Sequence, residues 1–219
     1  MVLQHYGVST NFAARELADR IEAGTMSWKQ FGGTHPGKTG NMMAAEGAKR
    51  ILEAAWSQPL NKSSSRKPHR VPSSPLDEGS YINGHFLSPG KASKDKGFSF
   101  IQPEWKKIPG SFRNTFAGMK LLCADQAGAE TTIKFEGPTL GAYVLAGPDA
   151  GILETSIDGG EFAPVDLYHN YSRGLHYPRT VIMASDLNQG NHTARIRVAK
   201  KKNPRSKGTA ARILQFGVN

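Results

Sequence analysis

From about residue 96 to the end of the chain, apolar residues recur at every second position in short runs. Thr131, Ile133 and Phe135 alternate with Thr132 and Lys134, and Ala194, Ile196 and Val198 alternate with Arg195 and Arg197. Period two is the side-chain repeat of an extended strand, so each run offers one face to a core and one to water. Expected strands are 97–101, 111–116, 120–124, 131–135, 140–145, 153–157, 164–167, 180–184, 192–198 and 211–217. Asp158-Gly159-Gly160 is a hairpin signal between two of them, and Asn188-Gln-Gly190-Asn191 is a further turn. Many short strands joined by Gly-rich turns, with no helix between them, specify a mainly β fold: a β-sandwich of jelly-roll type over 96–219.

The first 57 residues keep a different period. From Phe12, Leu17 and Ile21 lie one turn apart, with Arg15, Glu16, Asp19 and Arg20 on other faces, and Gly24 is a stop. Ser9, Thr10 and Asn11 are candidate N-caps. A second helix is expected from about Asn41 to Trp56, with Met43, Gly47, Ile51 and Ala55 at helical spacing; Gly47 inside it costs stability unless it permits close packing. Two helices and a loop enclose little core, so this piece must pack on something else. Between the two regions, 58–95 has the composition of an extended Pro/Ser-rich connector, with a small hairpin expected at Tyr81-Ile-Asn83-Gly84-His-Phe86.

The chain has 219 residues, 24 of them Gly and 13 Pro, so turns and loops are abundant. Its single cysteine, Cys123, excludes an internal disulfide framework and lies in an apolar run, which suits a buried, inert thiol. No apolar run is long enough to span a bilayer, and no signal peptide is visible, so a soluble protein is expected. The net charge of +10 invites a nucleic-acid reading. The basic residues, however, gather at Lys62–Arg70 and Lys200–Lys207, in loop-like segments without a recognition motif, and solvated loop charge is the preferred explanation.

Chemistry gathers in two places. Phe31-Gly-Gly-Thr-His35-Pro-Gly-Lys-Thr-Gly40 sets a histidine on a Gly-rich turn between helices, where a base or ligand is held yet reachable; a helix-capping or solvated histidine is the plainer alternative. Tyr168, His169 and Tyr171, with His176 and Tyr177, form the densest aromatic cluster, suited to stacking sugar rings or to packing a long loop. Glu154 and Asp158 are a candidate carboxylate pair, although the hairpin turn already explains Asp158. Asp149, in Gly147-Pro-Asp-Ala-Gly151, suits either a cation or a turn.

Several blocks in order carry a resemblance: Glu22-Ala-Gly24 with Trp28, Gly33-Thr-His35-Pro36 with Gly40, Phe135-Glu-Gly137, Gly147 to Gly151, Ser156 to Gly160, Gly174-Leu-His176-Tyr-Pro178 and Gly190-Asn-His192-Thr193. Together they resemble the C-terminal part of an SGNH (GDSL-type) hydrolase with an appended β-sandwich. The resemblance implies that residues 1–57 match the end of the α/β catalytic domain. It implies a serine-type carboxylic-ester hydrolase, without a cofactor, acting on carbohydrate or other short-chain esters, with His35 as general base. The family places an aspartate three residues before this histidine, where this chain has Gly32. The Gly-Asp-Ser nucleophile block is not recognisable, so the serine is unidentified and the chain reads as a truncated form or a descendant. A non-catalytic carbohydrate-binding sandwich is the alternative. The apolar faces of 1–57 imply a covering surface, so a homo-oligomer is expected.

Overall fold

The computed structural model describes residues 1–57, 59, 65, 68–93 and 95–219. Most of the Ser- and Lys-rich stretch 58–67, expected as connector, lies outside them. The chain divides into two compact units, Met1–Ser80 and Tyr81–Asn219.

The second unit is a β-sandwich. Its strands are β1 (His85–Leu87), β2 (Ser99–Ile101), β3 (Leu121–Ala124), β4 (Glu130–Glu136), β5 (Leu140–Ala146), β6 (Ile152–Ile157), β7 (Ala163–Asp166), β8 (Tyr177–Ala184), β9 (Asn191–Val198) and β10 (Ala211–Val218). One sheet runs β2-β3-β10-β5-β8, with β1 beside the C-terminal half of β10; the other runs β4-β9-β6-β7. Every strand pairing is antiparallel. Apart from the β6–β7 hairpin, the chain crosses between sheets at each step from β3 to β10, the winding of a jelly roll.

The alternation that defined these strands also fills the core. Ile133, Leu140, Val144, Leu153, Ile196, Ile213 and Phe216 are at most 1% exposed and face each other between the sheets. Truncating one such large side chain costs about 3–5 kcal/mol, the lost transfer free energy plus the cavity. A second apolar cluster covers part of the other side of the six-stranded sheet, where Trp105 and Phe116 pack with Leu121 and Leu145.

Two of the expected β elements take another form. Residues 111–116 form no strand: Asn114–Phe116 is a short 3-10 turn, which brings Phe112 and Phe116 onto the same cluster. Tyr81–Phe86 forms no hairpin. Gly84 N–H donates to Tyr81 O, and the following β1 pairs with β10, with Phe86 opposite Gly217. Asp158-Gly159-Gly160 does join β6 to β7, with positive φ at Asp158 and Gly159, as such a tight turn requires.

The first unit is helical: α1 (Val2–His5), α2 (Ala13–Glu22), α3 (Trp28–Phe31) and α4 (Lys38–Trp56). Among the described residues no helix is long and apolar enough to cross a membrane. The start of α2 is at Phe12, with no side-chain cap, rather than at Ser9–Asn11. Gly47 serves close packing: a Cβ there would lie 1.8 Å from the Asn11 side chain. Glu16 on α2 accepts from Arg20 and from Arg50 of α4, at 2.5 Å in each case. These pairs lower the Glu16 pKa, through the Arg20 hydrogen bond first, against a smaller effect of burial.

Candidate functional site

His35 lies on an exposed turn between α3 and α4. The turn is fixed at both ends. Ser27 and Gln30 form a capping box at the start of α3: Gln30 N–H donates to Ser27 Oγ and Ser27 N–H to Gln30 Oε1. The Ser-x-x-Gln spacing is a local signal for this short helix, which was not expected from the sequence. On the other side Asn41 Nδ2 donates to Pro36 O at 3.2 Å, and Gly40 packs so closely that a Cβ would lie 2.5 Å from Phe31 O. Among the described residues His35 makes no side-chain hydrogen bond, neither to a serine hydroxyl nor to an orienting acid.

Gly32 explains part of this. Its φ is +109°, in the left-handed region, and a Cβ would sit 2.0 Å from Gly37 N. A side chain cannot occupy that position without rebuilding the turn. An acid three residues before His35, as in the resembling family, is therefore incompatible with this backbone.

The sandwich holds the aromatic cluster. His169 stacks on Tyr177 with centroids 5.0 Å apart, and Tyr171 meets both rings at 5.2 Å. Tyr171 is 65% exposed. The His169 Nδ1 accepts from Tyr171 N–H and caps the short turn Asn170–Arg173. Tyr168 is mostly buried, with the Arg205 guanidinium 5.4 Å from its ring centre, and Arg205 also donates to Asn170 Oδ1. The structure thus brings His169, Tyr171 and Tyr177 together as one surface.

His176 is not part of that surface, contrary to expectation. It is fully buried, edge-on to Trp105 at 5.0 Å, with Nε2 donating to Pro109 O. Its Nδ1 and the Trp105 indole N–H are both buried with no hydrogen-bond partner among the described residues. Burial pushes its pKa down, Arg212 adds to that, and Asp149 opposes it, so the ring is neutral near pH 7. Gly147 lies against it: a Cβ there would be 2.2 Å from the imidazole.

The carboxylates singled out in the sequence are already paired. Asp149 receives two hydrogen bonds from Arg212, at 2.9 and 2.7 Å. Burial raises the Asp149 pKa, but Arg212 outweighs it and holds the carboxyl below its ordinary value. Glu154 is bound by Arg197 at 2.6 Å and Asp158 by His192 at 2.6 Å. Two acids each tied to a basic side chain are not arranged as an acid/base pair for glycosidic cleavage. Cys123 is half-buried, with its thiol pushed up to about 11 mainly by burial, so it stays protonated. The Asp149–Arg212 pair spans 63 residues and had no local sequence signal.

No protein-family model matches the chain, and no curated protein matches it. Among solved structures, its fold is similar to a two-domain esterase (CEX) active on acetylated mannans. The crystal form with mannopentaose gives a TM-score of 0.67 at 14% identity, covering 99% of this chain and 56% of that one. A second crystal structure of that esterase gives the same TM-score and covers 57% of that chain. A family two carbohydrate esterase from Cellvibrio japonicus overlaps at a TM-score of only 0.36 and 14% identity, over 62% of this chain and 33% of that one. The chain therefore spans little more than half the length of CEX, and the likeness is one of fold.

Proposed function

We propose that this chain is part of a serine-type carboxylic-ester hydrolase of SGNH descent, acting on acylated carbohydrates, with His35 as its general base. The observation that carries the reading is the His35 turn: an exposed imidazole on a loop braced by a capping box before it and by a Gly40 contact after it. The CEX fold likeness, and the activity of that esterase on acetylated mannans, support the substrate class. His35 takes the proton from a serine hydroxyl as it attacks the ester carbonyl, and returns it to the departing sugar hydroxyl. The serine comes from polypeptide beyond the residues packed around His35, either a further segment or a partner chain. On the sandwich by itself, the exposed surface of His169, Tyr171 and Tyr177 binds a sugar ring of the same class of carbohydrate.

The test is acetate release from acetylated mannan by the natively purified protein, beside His35→Ala. Loss of a general base predicts a fall in kcat of about a hundred- to ten-thousand-fold with KM little changed. An unaltered rate in His35→Ala would remove His35 from the chemistry. The exposed three-ring surface favours a second reading, a glycan-binding sandwich without hydrolysis; mannan binding with no acetate release by the wild type would select it.

A further inference from the structure

The sandwich unit contains seven arginines, which fall into two groups. Arg195, Arg197 and Arg212 are each tied to a carboxylate, of Glu130, Glu154 and Asp149 respectively. Arg113, Arg173, Arg179 and Arg205 make no ion pair with a described residue, and all four lie on or against the segment that carries His169, Tyr171 and Tyr177. Arg173 ends the short turn Asn170–Arg173. Arg205 donates to Asn170 Oδ1 at 2.8 Å. Arg179 donates from one nitrogen to Leu167 O and Tyr168 O, both at 3.3 Å. Arg113 closely follows Ser111, whose amide donates to Gly174 O and whose carbonyl accepts from His176 N–H, a parallel pairing that leads towards Tyr177.

Like charges gathered on one surface repel one another and attract a counter-anion. The local chain supplies none: from Leu167 to Ser185 there is no Asp or Glu. Asp166, just before, accepts from Tyr168 N–H at one oxygen and from Asn203 Nδ2 at the other. Bracing of the loop accounts for Arg179, and in part for Arg205. It does not account for Arg113 and Arg173, which are exposed and bond to no described residue. Their counter-charge therefore comes from outside the described chain.

We infer, on the reading of the ring surface as a carbohydrate site, that its ligand is an acidic carbohydrate: a sugar ring lies on the aromatic platform, and its carboxylate or sulfate oxygens meet the guanidinium groups of Arg113, Arg173 and Arg205. A guanidinium presents paired N–H donors that match two oxygens of such an anion. The exposed face of Tyr171 suits the C–H side of a pyranose. Single-stranded nucleic acid also combines anions with stacking, but it uses one aromatic platform for each successive base. Here the three rings pack on one another, with centroids 5.0 to 5.2 Å apart, as a single platform.

Binding is read without turnover, so the outcome is independent of hydrolysis at His35. The ¹⁵N-labelled full-length chain is titrated with tetragalacturonate, with a sulfated carrageenan tetrasaccharide and with neutral mannopentaose. The expected result is saturable amide shifts at His169, Tyr171, Arg173 and Tyr177. At least one acidic sugar binds about tenfold more tightly than mannopentaose, and its affinity falls as salt is raised. Which of the two binds distinguishes a carboxylate from a sulfate. Arg113→Gln and Arg173→Gln each weaken that binding by about fivefold, the upper range for an exposed ion pair, while the melting temperature is kept. Mannopentaose bound as tightly as either acidic sugar, or unchanged affinity in both variants, would overturn the inference and leave the carbohydrate reading standing. No shift at the rings with any of the three sugars would remove that reading as well. An oligothymidylate that shifts the same amides and binds more tightly than every sugar would also overturn the inference, assigning the surface to single-stranded nucleic acid.

Discussion

Two histidines of the sandwich show how environment sets the sign of a charge effect. His192 has an acceptor at each nitrogen, Asp158 Oδ2 at 2.6 Å and Asn188 O at 2.8 Å, an arrangement that suits the doubly protonated ring. The Asp158 hydrogen bond raises its pKa, and the same bond lowers that of Asp158. The His192 contribution to stability is complete below the unfolded value near 6.5 and is lost as pH rises through its higher folded value. The Asp158 contribution is present above its unfolded value near 3.9 and is lost as pH falls through its lower folded value. Buried His176 behaves oppositely: its folded pKa is depressed, so the unfolded chain takes up a proton first and stability falls as pH drops below about 6.5. Urea unfolding of His192→Gln from pH 4 to 9 tests this. The deficit against wild type is expected to be largest in mildly acidic solution and to shrink above neutrality. A deficit that grows with pH would contradict the charged ring.

At the scale of elements, pairing and burial rank the strands. β10 is flanked by β5 on one edge and by β3 then β1 on the other. β2 and β7 are sheet edges, and Pro164 in β7 is tolerated there because an edge strand has amides that need no partner. Hydrogen exchange is therefore expected to be slowest across 211–218 and fast in 99–101 and 163–166; the reverse order would contradict the topology. The period-two runs made nearly all these strands legible in the sequence. The segment 111–116 was not, because Phe112 and Phe116 are spaced four apart and meet the sheet through a helical turn. The partner of β1 was hidden too: an Asn-Gly pair signals a local hairpin, whereas pairing with the distant β10, Phe86 opposite Gly217, leaves no local trace. The exposed Gly-rich turn that carries His35 was legible in the sequence. The burial of His176 was not, since it depends on Trp105, Pro109 and Gly147, brought together only by the fold.

For the whole molecule, the described residues of the helical unit present large apolar side chains at the surface. Phe12, Trp28, Met42 and Trp56 are each more than half exposed, and apolar surface of this extent is ordinarily occupied. We propose that the segment supplying the serine covers it, or a second copy of the chain in a homo-oligomer, and both bring new groups towards the His35 turn. The most direct measurement is reaction of the natively purified protein with a serine-directed fluorophosphonate, read by intact mass and peptide mapping, beside His35→Ala. The expected result is one adduct on one serine, formed far more slowly when His35 is replaced. No adduct, or labelling at the same rate in His35→Ala, would contradict a serine hydrolase centred on this histidine.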